Sequence, residues 1–520
     1  MKKNSISTAV LASLAGIAGI ANISNAVNIN PDGTGQVLIY PYYTANAGNQ
    51  TLLSVVNTTS QGKAVKVRIL EGRNSFEVLD FNLFLSREDV WTAAILNLGV
   101  GAAATAATTP ASIATFDTSC TSPLFSSAGT VTASGLVYVD FRNFLYLNDT
   151  VGGIDLNRTR EGHIEIIEMA TLTGALNTAI THVNDVPRNC GLAQGFIVNN
   201  PALGDPANIA APSGGLFGGG AVINIANGTY SNYAATALDG FWETGTTPVI
   251  TDPEGLAPSL TSAGPQSLVF NAGRIVTSNW GGLAIGSATT PGQRIDAVST
   301  VFMADSILNE YSTLASNNES SEWVITFPTK RFYVDPALHP TTVVPPFTNR
   351  YLAGSACDPI GIASWNREEF PGLAPTGGFS PPAPGQAGPA LCFETNVLTF
   401  NQIITNATNG TSSPSKIFGS VHARNITTPR ISTPAGNNTQ AGWTRISFPG
   451  SAAVVGSGRT RPSVEGHRFL GLPVTGFWAV SIENNAATPG VKGFYGGLYN
   501  HRNSRRCEAG AAGQFTCFTP

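Results

Sequence analysis

Charged side chains are scarce in this chain of 520 residues, because Asp, Glu, Lys and Arg together make up 12% of it. That is about half of the share usual in globular proteins. A disordered chain has few apolar residues, whereas 42% of these residues are hydrophobic and there are 56 Gly and 33 Pro. The composition therefore excludes a disordered chain and predicts a β-protein that is rich in turns.

Several motifs that would identify a reaction are absent. No G-x-S-x-G elbow occurs, and the nearest approach, Gly361–Trp365, lacks the second glycine that the tight turn needs. The glycine-rich run 214–220 lacks the order of a phosphate-binding loop. Neither C-x-x-C nor C-x-x-C-H is present, so haem attachment is not indicated. An enzyme is therefore the less favoured class, and a hydrolase without a recognisable motif remains an alternative.

Residues 1–26 have the pattern of a signal peptide. Lys2 and Lys3 are followed by a short apolar stretch, and Ser24 and Ala26 supply small residues at the cleavage site. The alternative is a buried N-terminal helix. No second apolar run of about 20 residues follows, so the mature chain is predicted to have no transmembrane segment. We expect export through an inner membrane to the cell surface, the outer envelope or the medium.

An even number of cysteines in an exported chain favours disulfide bonds. Six cysteines allow fifteen pairings, of which pairing in sequence order is the simplest. Zinc is the competing interpretation, but the spacing of zinc ligands is missing. The six are Cys120, Cys190, Cys357, Cys392, Cys507 and Cys517.

Alternation of apolar and polar residues predicts antiparallel strands. In 63–69, for example, Val65 and Val67 point one way while Lys66 and Arg68 point the other, as in a half-buried strand. Strands about a dozen residues apart favour an all-β antiparallel sandwich, immunoglobulin-like or jelly-roll-like, with long loops rich in Gly, Pro and Ala. Further strands are predicted at 35–44, 51–57, 79–85, 135–141, 163–170, 267–270, 323–327, 331–334, 443–448 and 477–482.

The Gly/Pro-rich run 201–220 is interpreted as the boundary between two domains. An N-terminal sandwich would span 27–200 and a β-rich C-terminal domain would span 221–520, with 201–220 as a linker or lid. Asn227-Gly228 predicts a hairpin turn. A helix is predicted at 301–315, and a short helical turn at 172–180.

Two clusters of polar residues are candidates for a metal site. Glu161, His163 and Glu165 are spaced by two, so on a strand they would share one face. The favoured interpretation is instead the solvated face of an amphipathic strand. The second cluster, Asp149, Asp155 and Asn157, surrounds a Gly-Gly turn of a kind that can bind calcium, although an ordinary Asx-rich turn is favoured. No other cofactor is predicted.

The seven tryptophans raise the question of sugar binding, in which flat aromatic rings pack against the ligand. Most lie singly in strand patterns and are predicted to be core residues. Trp365, in the loop expected between Cys357 and Cys392, is the candidate for a surface residue that stacks on a ligand.

The C-terminal stretch 424–520 has ten Lys and Arg against three Glu. Such a basic end can attach to an anionic envelope or to an acidic part of another copy. Arg502, Arg505 and Arg506 are the candidate anchoring residues, and such an association would be sensitive to salt. The alternative is that folding intersperses these basic residues among the acidic residues of the rest of the chain over one surface.

These features favour an exported bacterial envelope or cell-surface protein with a structural, self-associating and non-enzymatic role. In composition the chain is similar to surface-layer proteins, although it lacks their anchoring repeats. A secreted protein that binds glycan or another polymer is one alternative, and a secreted hydrolase is the other. The expected partners are other copies of the chain or an anionic envelope, with glycan as the alternative and no nucleic acid.

Overall fold

A computed structural model gives the fold of most of the chain. Residues 1–24 of the predicted signal peptide lie outside the described residues. At Val27, the first residue after the predicted cleavage site, the side chain is buried and the amide donates to the carbonyl of Gln266. The described residues are 25–99, 108–199, 206–271, 274–281, 293–314, 317–341, 344–367, 369, 389–402, 415–428, 440–448, 460–488, 491–509 and 515–516.

The described residues are mostly β-structure, as predicted. The strands of the first half are β1 (Asn28–Ile29), β2 (Val37–Thr44), β3 (Gln50–Asn57), β4 (Gly62–Glu71), β5 (Glu77–Leu85), β6 (Val90–Leu96), β7 (Ser112–Thr115), β8 (Cys120–Ser122), β9 (Thr130–Val131), β10 (Val137–Asp140), β11 (Glu161–Leu172), β12 (His182–Val183), β13 (Val186–Pro187), β14 (Ile209–Ala210), β15 (Leu216–Asn224), β16 (Thr229–Ala234) and β17 (Thr236–Asp239).

The second half continues with short and long strands. They are β18 (Gln266–Asn271), β19 (Arg274–Asn279), β20 (Met303–Ala304), β21 (Ser306–Ser312), β22 (Glu319–Thr326), β23 (Asp358–Pro359), β24 (Gly361–Asn366), β25 (Ala390–Leu391), β26 (Thr395–Gln402), β27 (Arg424–Thr428), β28 (Ala441–Ser447), β29 (Arg468–Phe469), β30 (Leu472–Pro473), β31 (Thr475–Thr488), β32 (Val491–Asn500), β33 (Arg502–Ser504), β34 (Cys507–Ala509) and β35 (Phe515–Thr516).

Helices are short and connect the strands. The α-helices are Phe125–Ala128, Gly174–Ile180, Cys190–Asn199, Arg294–Phe302 and Arg331–Val334, and the 3-10 helices are Phe144–Tyr146, Leu156–Arg160 and Leu260–Ser262.

Two antiparallel sheets pack face to face in the first half and form the predicted sandwich. One has the order β1-β17-β2-β11-β4-β5-β8, with β14 beside β11, and the other has the order β16-β15-β3-β6-β7-β10-β9. Apolar side chains of both sheets, such as Val67, Phe81, Trp91 and Ile113, form the core between them.

The predicted boundary at 201–220 needs correction. Strand β15 begins at Leu216 and pairs with β3, and β17 pairs with β2. The sheets of the first sandwich are therefore completed by residues up to Asp239. The glycine-rich composition of 214–220 is typical of a linker, but glycines also allow two strands to approach each other closely. The prediction considered only the first of these.

The second half adds a four-stranded sheet, β24-β28-β21-β33, and a five-stranded sheet, β27-β26-β22-β31-β32. Tyr311, Trp323 and Phe400 pack between these two sheets, and the rings of Tyr311 and Phe400 stack at 5.3 Å. On the other face of the five-stranded sheet, Val324 and Phe477 belong to the core of the first sandwich. The five-stranded sheet is thus covered on both faces.

The prediction that β4 is half-buried is wrong. All ten residues of β4 are buried, including Lys63, Lys66 and Arg68. The second half of the chain lies over the face on which Lys66 and Arg68 were expected to meet solvent. Lys66 Nζ pairs with Asp80 at 2.6 Å and also donates to backbone carbonyls of the segment around Gly255.

Two local predictions were wrong, and a third was right only in outline. The helix predicted at 301–315 is mostly strand, since helix Arg294–Phe302 ends where β20 begins, and the strand predicted at 331–334 is a helical turn. The Asn227-Gly228 hairpin is confirmed, but its loop has four residues between the paired Asn224 and Thr229. The short helical turn before Ile180 is confirmed.

Two disulfides follow the predicted sequential pairing. Cys120 bonds to Cys190, and Cys357 bonds to Cys392. No described cysteine is free, and Cys517 lies outside the described residues. Disulfide bonds are typical of proteins that fold in an oxidising compartment. Over the ranges that the structure covers, no helix combines the length and the hydropathy required to cross a bilayer.

Candidate functional site

The outer face of the four-stranded sheet carries exposed aromatic and charged side chains. In β21 and β28 alternate residues such as Tyr311 and Ile446 are buried in the core. The intervening Glu310, Trp443 and Arg445 are exposed. Because successive side chains of a strand point to opposite faces, these three residues share the outer face of the sheet.

Trp365 of β24 lies directly opposite Trp443 of β28. Their indole rings stack with centroids 4.1 Å apart and planes 14° apart. The guanidinium carbon of Arg445 lies 5.4 Å from the centroid of Trp365, within the range of a cation–π contact. We call Trp365, Trp443 and Arg445 the tryptophan platform.

A polar cleft adjoins this platform. It has a volume of about 610 Å³ and forms where β16, β32 and β33, each at the edge of its sheet, come together. The amide of Asn309 donates to the carbonyl of Tyr499 at 3.0 Å and so ties β21 to β32 at its base. Its polar lining includes Asn232, Asn309, Glu310, Tyr499, Asn500 and Arg502.

Glu310 connects the two features, because it lines the cleft and also pairs across the ladder with Trp443. The platform and the cleft therefore form one surface. It combines flat aromatic rings with amide, carboxylate and guanidinium groups. This combination suits a ligand that has apolar faces and many hydroxyl groups, since the rings supply contact area and the polar groups fix orientation.

Sequence reasoning found only part of this surface. Trp365 was predicted to lie in a loop, but it lies in β24 and is half-buried. Trp443 was predicted to be a core residue, yet 37% of it is exposed. The alternation of Thr444 and Ile446 with Trp443 and Arg445 was the available signal, because an exposed arginine two residues away places the tryptophan on the same outer face.

The cluster Glu161, His163 and Glu165 is in a different place, on strand β11. All twelve residues of β11 are buried, so the interpretation as a solvated face is wrong. The reason is again that the second half of the chain covers this sheet. Glu165 pairs with Arg68 at 2.7 Å, whereas Glu161 accepts from the hydroxyl of Tyr42 at 3.2 Å.

Burial dominates the electrostatics of β11. It raises the pKa of Glu165 to about 7 against the opposing effect of Arg68. It lowers the pKa of His163 to about 3, and the positive charge of Arg68 acts in the same direction. Neither ring nitrogen of His163 has a hydrogen-bond partner among the described residues.

The oxygen-rich turn around Gly152 is organised by a guanidinium. Arg158 Nη1 lies 2.6 Å from Asp149 Oδ2, and the hydroxyl of Tyr351 donates to the same oxygen. Asp155 precedes the 3-10 helix Leu156–Arg160, in which Asn157 lies. In the part of the chain that the structure describes, no group of three or more His, Cys, Asp or Glu is arranged to hold a metal ion.

The three candidate anchoring arginines have different surroundings. Arg505 donates to the carbonyl of Val301 at 2.8 Å, at the end of helix Arg294–Phe302, where a cation is favourable. Arg506 pairs with Asp305 at 2.6 Å. Arg502 is exposed and lines the cleft. Tertiary structure thus gives two of the three a partner within the chain.

A second surface feature is the outer face of the seven-stranded sheet of the first sandwich, which has the order β16-β15-β3-β6-β7-β10-β9. A groove of about 600 Å³ crosses it, and its described lining residues carry no charge. Small residues such as Ala94 and Ala221 lie between the large side chains of Leu52, Phe116 and Tyr230, which are 37%, 66% and 55% exposed. An exposed apolar surface of this kind is a feature of interaction sites.

Comparison with known proteins identifies no relative, because no protein-family model, no curated protein and no solved structure matches this chain.

Proposed function

We propose that this chain is an exported, non-enzymatic cell-surface protein that binds glycan chains at the tryptophan platform and the adjoining cleft. The stacked pair of Trp365 and Trp443 on an outer sheet face is the observation that carries the proposal. An exposed indole ring keeps apolar surface in contact with water, and a ligand that covers this surface gains free energy by removing it from water. The apolar face of a sugar ring is a suitable cover.

Binding is favoured over hydrolysis by the carboxylates near the cleft. Most glycoside hydrolases use a pair of carboxyl groups on either side of the bond that breaks. Glu310 is the sole carboxylate among the described lining residues of the cleft. The shape of the surface also fits a chain better than a single small molecule, because the platform continues into the cleft through Glu310.

Binding of purified mature protein to a panel of soluble polysaccharides tests this proposal. Isothermal titration calorimetry should show binding by the native chain and at least a tenfold weaker affinity for Trp443→Ala and for Trp365→Ala. Phe144→Ala is the matched control, since Phe144 is also exposed, at 67%, but belongs to a 3-10 helix of the first sandwich. Unchanged affinity in both tryptophan variants, or no binding to any polysaccharide, would contradict the proposal.

The apolar face of the seven-stranded sheet favours a second candidate function, self-association of the envelope protein. Its uncharged groove predicts contacts that persist in salt, unlike the electrostatic contacts expected from the basic C-terminal stretch. Sedimentation of the mature chain should show a concentration-dependent oligomer at low salt and at roughly 0.5 M salt. Leu52→Lys should dissociate it, and a monomer at all concentrations would argue against this candidate.

A further inference from the structure

We infer that the glycan bound at this surface is anionic, carrying carboxylate or sulfate groups on its sugar units. This inference rests on the proposed function and specifies the class of ligand. It comes from the charges that accompany the two tryptophans.

The register of the four-stranded sheet places two arginines in one row. Arg445 of β28 pairs with Leu308 of β21, and Leu308 pairs with Arg502 of β33. Arg445 and Arg502 are both exposed, on the face that also carries Trp443. Two inter-strand spacings separate their backbones by about 10 Å, so the two cations can contact successive acidic groups of an extended chain.

Neither guanidinium forms an ion pair with a described carboxylate. The stretch 424–464 contains five arginines and no Asp or Glu. Of these, Arg461 is buried and pairs with Asp296 at 2.7 Å, so it neutralises an internal acid rather than contributing to the surface. Arg445 and Arg502 are therefore available to an external anion.

The contact between Arg445 and Trp365 also gives the guanidinium a defined position. A ring face attracts a cation, and the planar guanidinium offers paired N–H donors that match a carboxylate or a sulfate in two-point contacts. An anionic sugar that packs against the exposed part of Trp443 would thus meet a donor already in place. Glu310 lies in the next row of the same face, opposite Trp443.

The test compares glycans that differ only in charge. Oligogalacturonate and its methyl ester share one backbone, and a sulfated oligosaccharide with its desulfated counterpart forms the second pair. We expect the native chain to bind at least one charged glycan tenfold or more tightly than its uncharged counterpart. Raising the salt concentration should weaken only the charged member.

Arg445→Gln and Arg502→Gln should each reduce this preference severalfold and together abolish it, because the charged glycan loses more affinity than the uncharged one. Arg445→Lys keeps the charge without the planar donors and should give an intermediate preference. Arg87→Gln is the matched control, since Arg87 is exposed in a turn of the first sandwich. Because all these side chains are exposed, unchanged thermal unfolding should confirm that each variant folds.

The outcomes separate this inference from the proposed function. Equal affinity for charged and uncharged glycans, with loss of both in Trp443→Ala, would overturn the inference and leave the proposed function intact. A charge preference that survives in the double arginine variant would also overturn it. Absence of binding to every glycan would overturn both.

Discussion

Arg158 and Glu71 form a two-point ion pair in the interior of the protein. Arg158 Nε lies 2.7 Å from Glu71 Oε2, and Nη2 donates to Oε1 at 3.0 Å. Glu71 lies at the end of β4 and also accepts from the backbone amides of Arg73 and Asn74. One carboxylate therefore fixes the turn after β4 and joins it to the 3-10 helix that contains Arg158.

Glu71→Gln should destabilise the protein by about 3 to 5 kcal/mol, because it removes one charge of a buried pair. Burial alone would raise the pKa of Glu71, but Arg158 and the backbone donors lower it to about 2. Since the folded pKa is below that of the unfolded chain, this stabilisation is present above about pH 4.5 and is lost as the pH falls towards 2. Urea unfolding at pH 7 and pH 3 measures both effects, with exposed Glu254→Gln as control; an equal penalty at both pH values would argue against this assignment.

His163→Leu should leave the free energy of unfolding at pH 7 unchanged or raise it, because both ring nitrogens are buried and neither has a hydrogen-bond partner among the described residues. The pKa of His163 is lowered to about 3 by burial and by Arg68. The unfolded chain takes up this proton at a higher pH than the folded protein, so the native protein loses stability as the pH falls below about 6.5. The variant should lack this part of the acid dependence.

Denaturant unfolding at pH 7 and pH 5 checks the prediction. His467→Leu is the contrasting variant, because its Nδ1 lies 2.9 Å from the Ser278 hydroxyl and its removal should destabilise the protein. A large loss of stability in His163→Leu at pH 7 would mean that the ring has a partner.

Glu394→Gln should stabilise the protein at alkaline pH. Burial raises the pKa of Glu394 to about 8 against the opposing effects of Ser75 and Lys330. The unfolded chain releases this proton at a lower pH than the folded protein does. The protonated carboxyl group therefore contributes its full stabilisation below the unfolded pKa, and this stabilisation is lost as the pH rises through about 8. The variant should match the native chain near pH 5 and exceed it by at least about 1 kcal/mol at pH 9. Thermal unfolding across this range measures the difference, and parallel curves would contradict the prediction.

Removal of the Cys120–Cys190 disulfide by a double Ala substitution should cost about 2 to 5 kcal/mol. The bonded residues are 70 apart in sequence, whereas Cys357 and Cys392 are 35 apart. Loop-closure entropy predicts that the longer loop contributes about 0.6 kcal/mol more. Denaturant unfolding of both double variants tests this order. A larger loss of stability in the variant without the Cys357–Cys392 disulfide would contradict the prediction.

The stacked indoles of Trp365 and Trp443 should be coupled by about 0.5 to 1.5 kcal/mol in a double-mutant cycle. The single Ala variants and the double variant give this value from the free energies of unfolding. Trp365 and Phe144 form the control pair, and their effects should add. A coupling of zero would mean that the two rings do not stack in solution.

Local alternation was sufficient to predict strands but not their surroundings. Val65 and Val67 alternate with Lys66 and Arg68, which defined β4 correctly, and yet both of its faces are buried. The alternation assigns each side chain to one of the two faces of a strand, but it does not show whether another part of the chain covers that face. The same reason explains the wrong prediction for Glu161, His163 and Glu165, and the unrecognised exposure of Trp443.

The platform could be predicted only in part for a related reason. Trp365 was selected from its sequence position, whereas Trp443 and Glu310 lie in other strands and join it through register. Register between distant strands depends on the whole sheet, and no local signal in a single sequence specifies it.

The sequence by itself determined the all-β class, most strand positions and the scarcity of charge, because each of these follows from local pattern or composition. It left fifteen pairings open for the six cysteines, of which the sequential one was only the simplest. Tertiary structure decided where the charges go. It buried Lys63, Lys66 and Arg68 against carboxylates, gave Arg505 and Arg506 partners within the chain, and left Arg445 and Arg502 exposed beside two tryptophans. The physical reason is that burying a charge is costly without a partner, and partners from distant segments meet only when the sheets pack.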